Sequence, residues 1–87
     1  MELTAYRDLE QILLYAIKMP TIKIRQVAEE TGLGIKNLYR FTSDNHIGAR
    51  SADIILDWFK EFHPDLLELA IILYRKEVWL WKLIKNG

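Results

Sequence analysis

Apolar residues recur along this chain at intervals of three and four, the period of helices with one buried side. The first stripe is Tyr6, Leu9, Ile12, Leu13, Ala16 and Ile17. It predicts a helix over about 5–18, with Thr4 as its N-cap. Met19-Pro20 ends it, because the residue before a proline is pushed out of the helical region. Thr21 then caps a second helix over about 22–31, and Gly32-Leu33-Gly34 turns the chain into a third over about 35–41. Thr42 to Gly48 is dense in turn-forming residues and reads as a loop with Ile47 as its buried anchor. A fourth helix over about 49–62 buries Ala52, Ile55, Phe59 and Phe62, with Ile54 and Trp58 on the flank. A fifth follows over about 65–85, with Pro64 and Asp65 favourably placed at its start. The expected fold is an all-α five-helix bundle forming a single domain.

The fifth helix is apolar around most of its circumference. Leu66, Leu69, Leu73 and Leu80 make the expected inner stripe, and Glu68, Arg75 and Lys82 repeat every seven residues as a narrow polar one. Ile72 and Trp79 interrupt that polar stripe, and four preceding helices cover only one side. A second copy of the chain is the simplest cover for the rest, which predicts a homodimer with Ile72, Trp79, Leu80 and Leu83 at its interface.

The stretch from Thr21 to Phe41 organises everything else, because it reads as two short helices joined by a tight turn. Ala28 is small where the second of these helices crosses over it, and Gly32 suits the position just past a helix end, where positive φ is common. With Leu33, Leu38 and Phe41 turned inward, Ile35, Lys36, Asn37, Tyr39 and Arg40 face out. Those residue types in that order suit contact with DNA.

Charge sharpens this picture. The chain of 87 residues carries 12 basic and 12 acidic side chains, so its total gives no sign of a polyanionic partner. The distribution does: Lys18 to Arg50 holds six basic against three acidic residues, while Ser51 to Ala70 holds one against five. The positive segment coincides with the two-helix unit. The absence of cysteine excludes disulfides, thiolate metal sites and a cysteine nucleophile. The start, MELTAYRDLEQ, lacks a basic leader, and the longest apolar run, Leu69 to Tyr74, falls far short of the ~20 residues that span a bilayer. A cytoplasmic protein is expected.

From Lys23 to Phe62 the residues resemble the Cro/C1-type (XRE-like) helix-turn-helix repressors of phages and plasmids. The resemblance rests on Val27-Ala28, Gly32-Leu33, Leu38-Tyr39-Arg40-Phe41, and Ile47 followed by Ser51-Ala52-Asp53. It implies a five-helix domain that binds an operator in double-stranded DNA as a dimer, with the third helix in the major groove. Carried over, Ile35, Lys36, Asn37 and Arg40 would contact bases, and Lys23, Arg25, Tyr39 and Arg50 the backbone. Ile35 stands where these proteins often place glutamine, and Lys23 where they tend to have a small capping residue. Gly32-Leu33 and Leu38-Tyr39 also resemble the N-terminal domain of TetR-type repressors, although Phe41 arrives one residue early for that pattern.

Other chemistry finds little footing. Asp53, Asp57 and Glu61 share a helix face, but no histidine or apolar pocket accompanies them, so they read as a solvated surface rather than a catalytic pair. His46 and His63 are too separated to suggest a metal site. Trp79 and Trp81 beside Lys82 and Lys85 suit core or dimer contacts better than a membrane surface. No phosphate cradle, nucleophile elbow or cofactor motif appears, and no enzyme is expected. The competing expectation is an interaction module that keeps the same scaffold and binds a protein partner, since fold alone does not fix function.

Overall fold

The structure, a computed structural model, describes the backbone of residues 6–86 and the side chains of residues 8–80, 83 and 84. Among these residues it contains five helices and no strand: α1 (Tyr6–Ile17), α2 (Ile24–Thr31), α3 (Ile35–Asp44), α4 (Ala49–Phe62) and α5 (Pro64–Asn86). Thr4, the expected cap of α1, lies outside the described residues, as do Ala5 and the side chains of Tyr6, Trp81, Lys82 and Lys85.

Of the boundaries that differ from expectation, three have a clear local cause. Residues 20–23 stay non-helical, so α2 begins at Ile24, and Lys23 rather than Thr21 occupies its N-cap with no side-chain hydrogen bond. Ile22 is buried and its amide donates to the Met19 carbonyl, which holds this connection as a turn. α3 runs three residues past Phe41, with the Thr42 hydroxyl on the Tyr39 carbonyl at 2.8 Å. Asn45 then closes it at φ 60°, its amide on the Phe41 carbonyl. Asparagine tolerates this left-handed conformation, so the chain reverses there and the expected long loop shrinks to Asn45–Gly48. α5 begins one residue early, at Pro64, where a missing N–H costs nothing.

One core joins all five elements. Ile12, Leu13, Ala16 and Ile17 of α1 meet Val27, Leu38, Phe41, Ala52, Ile55, Phe59, Leu67 and Ala70. Ala16 and Ala70 are fully buried on the two helices that share the most extensive contact, where small side chains let backbones approach. α4 turns slightly from its expected orientation: Trp58 is buried and Phe62 is exposed, the reverse of the sequence expectation. The Trp58 indole N–H donates to Glu30 at 2.9 Å, which gives this large ring a polar partner on α2 and carries Phe62 outward.

α5 departs furthest from expectation. Its core side is Leu67 and Ala70 with Ile71 and Tyr74 alongside, whereas Leu69, Leu73 and Leu80 of the expected inner stripe are exposed. Two polar contacts fix this orientation: the Tyr74 hydroxyl donates to Asp8 and the Tyr15 hydroxyl donates to Glu77. The Glu77 contact, with burial and carboxylate charge, pushes the Tyr15 phenol up to about 12. A group whose folded value is raised contributes stability that is complete below its unfolded value, about 10, and lost as pH rises through the folded one. Denaturation midpoints between pH 9 and 12 should therefore fall more steeply for the parent than for Tyr15→Phe, as followed by circular dichroism.

Candidate nucleic-acid interface

Two glycines shape the unit that presents the candidate residues. Gly32 ends α2 at φ 79°, with its amide on the Ala28 carbonyl, and a side chain at that φ would be strained. The Thr31 hydroxyl donates to the Val27 carbonyl at 2.6 Å and accepts the Leu33 amide at 3.3 Å, so the turn carries its own polar lining. Gly34 is the N-cap of α3 and accepts the Asn37 and Leu38 amides. Leu38 and Phe41 anchor α3 from below, both with no exposed surface.

The opposite side of α3 faces solvent. Lys36, Asn37, Tyr39 and Arg40 are exposed, and Ile35 is half-buried at the first turn. Neither Lys36 nor Arg40 forms a salt bridge with the acids of residues 51–70 among the described residues. Lys23 and Arg25 are exposed at the N-terminal end of α2, and Arg50 is exposed in the first turn of α4.

Asn37 and Arg40 meet residues that the sequence did not assign to DNA contact. A groove of about 310 Å³ is lined by these two together with His46, Ile47, Gly48 and Ser51. It lies where α4 starts, at Gly48, which offers no side-chain cap. Orphan amides of a first helical turn, a guanidinium, a carboxamide, an imidazole and a hydroxyl make a surface rich in donors, suited to an anionic oxygen. Lys23, Lys36 and Arg25 do not line this groove. Ser51 and His46 join it because α3 is longer than its apolar pattern suggests, and the asparagine at its end was the available signal.

The groove wall is held from behind by a buried carboxylate. Glu10 of α1 is 6% exposed and accepts the Ile47 amide at 2.9 Å, while His46 Nδ1 lies 2.8 Å from the same oxygen. Sequence reading had no reason to choose Glu10 among twelve acids, since its partner is a backbone amide 37 residues away. On another side, Glu30 accepts from both Gln26 and Trp58, and these hydrogen bonds, with the nearby charge of His63, hold its carboxyl below the ordinary range.

Among the described residues no cluster of histidine and acidic side chains suits a metal ion, and no helix is long and apolar enough to cross a membrane. Comparison with protein-family models, curated proteins and solved structures finds no match to this chain.

Proposed function

We propose that the protein is a sequence-specific DNA-binding regulator of the helix-turn-helix kind, acting as a repressor in a phage, plasmid or other mobile element. The observation that carries the reading is the two-sided character of α3: Leu38 and Phe41 are sealed beneath it while Lys36, Asn37 and Arg40 stand in solvent above. A helix of ten residues with donors on its free side has the size and chemistry to enter a major groove. Arg40 and Lys36 would address guanine edges, Asn37 adenine, and Ile35 a thymine methyl. Arg40 and Asn37 also border the groove at the start of α4, where a phosphate would sit; Lys23, Arg25, Tyr39 and Arg50 are the further backbone candidates. Two copies would read an inverted repeat with half-sites ~10 base pairs between centres.

The test is a mobility-shift titration against the DNA flanking the protein's own gene, at two salt concentrations. Arg40→Ala should weaken binding about tenfold and relax specificity at one base position. Lys23→Ala should weaken all sequences alike and flatten the salt dependence. Equal retention of operator and unrelated DNA by the parent would end the proposal.

A second reading draws on a specific observation. The chain has no net charge, and α5 offers a broad apolar surface away from its core side. A host protein bound there, with no DNA retained, would make this an interaction module on the same scaffold.

A further inference from the structure

α5 carries two apolar faces, and only one of them is used. Leu67, Ala70, Ile71 and Tyr74 pack inward, while Leu69, Ile72, Leu73, Trp79, Leu80, Leu83 and Ile84 are between 37% and 72% exposed. At 100° per residue the exposed set occupies one continuous arc. Together with the half-buried Leu66 at its edge, Leu69, Leu73, Lys76, Leu80 and Leu83 alternate in steps of three and four, the spacing of a coiled-coil seam. Covering these side chains removes on the order of 600 Å² per copy, close to the ~800 Å² per partner of a standard interface. A patch of that size lies at the upper end of what a monomer exposes, where such patches are often interaction sites.

We infer that this seam pairs with the same seam of a second copy, and that the two helices run antiparallel. The deciding residue is Lys76, an exposed cation in the middle of the leucines. A parallel in-register pair would set Lys76 against its own copy, with like charges facing in the least hydrated part of the interface. Antiparallel pairing centred between Tyr74 and Arg75 sets Leu66 against Leu83, Leu69 against Leu80, and Leu73 against Lys76, each twice. Ile72 then lies beside Trp79 of the other copy. No seam residue meets itself, the full apolar length is covered, and the lysine stems pack on leucine while their ammonium groups reach the edge. Lys76 thereby selects the orientation and weakens the pair. The inference deepens the dimer invoked for operator binding, yet stands on α5 alone.

The natural chain has no cysteine, so introduced ones report distances cleanly. Leu69→Cys and Leu80→Cys chains should form a disulfide when mixed, while Leu69→Cys alone should not. Sedimentation without DNA should show a concentration-dependent dimer, at least tenfold tighter for Lys76→Leu and abolished in Leu73→Glu/Leu80→Glu with helicity retained. Efficient self-linking of Leu69→Cys overturns the orientation. A parent and Lys76→Leu that both stay monomeric at 100 micromolar overturn the pairing, without bearing on whether α3 holds DNA.

Discussion

Phe41→Ala should cost about 3–5 kcal/mol of folding stability, the usual range for deleting a buried phenyl ring that its surroundings cannot refill. Phe41 has no exposed surface and sits in the cluster shared by all five helices. For a chain of 87 residues the whole stability is about 4–13 kcal/mol, so the loss is a large share of it. Chemical denaturation should show a midpoint far below that of the parent. Nucleic-acid binding, if the proposal for α3 holds, should fail with the fold rather than through any lost contact. Tyr39→Ala on the exposed side of the same helix provides the contrast, with stability within about 0.5 kcal/mol of the parent. A Phe41→Ala chain that melts with the parent would mean that α3 is not held from beneath.

Glu10→Ala should cost about 2–3 kcal/mol, because it strips the Ile47 amide of a charged acceptor while Ile47 itself remains buried. Glu10→Gln keeps a carbonyl oxygen for that amide and should lose roughly half as much. The same oxygen faces His46, so the loop between α3 and α4 is tied to α1 at two adjacent residues. Amide hydrogen exchange at Ile47 should accelerate strongly in Glu10→Ala and modestly in Glu10→Gln. Similar protection in both variants and the parent would show that the carboxylate does not hold the loop.

The fold was legible where a helix has one apolar side and a clear stop. The bounds of α4 agree with expectation at both ends, and α1 ends near Met19-Pro20 as its sequence demands. Legibility failed where a polar side chain chose between apolar surfaces. On α5, leucine content pointed to Leu69, Leu73 and Leu80 as the core side, but Tyr74 and Glu77 find their partners, Asp8 and Tyr15, only when the helix is turned the other way. On α4, Trp58 goes in and Phe62 out because the indole reaches Glu30. Such pairings join residues 28 to 66 positions apart and leave no trace in a helical period. In the candidate interface, the exposed residues of α3 followed from its spacing, whereas His46 and Ser51 depended on where Asn45 ends the helix.

The contacts between α1 and α5 have a kinetic consequence. Asp8 with Tyr74 and Tyr15 with Glu77 close loops of 66 and 62 residues in a chain of 87. The α2–α3 turn and the Trp58 link enclose far shorter ones, at lower entropic cost. During refolding the middle helices should therefore gather first and the two ends join late, so that variants that slow refolding concentrate among α2, α3 and α4 while those at the seam between α1 and α5 mainly speed unfolding.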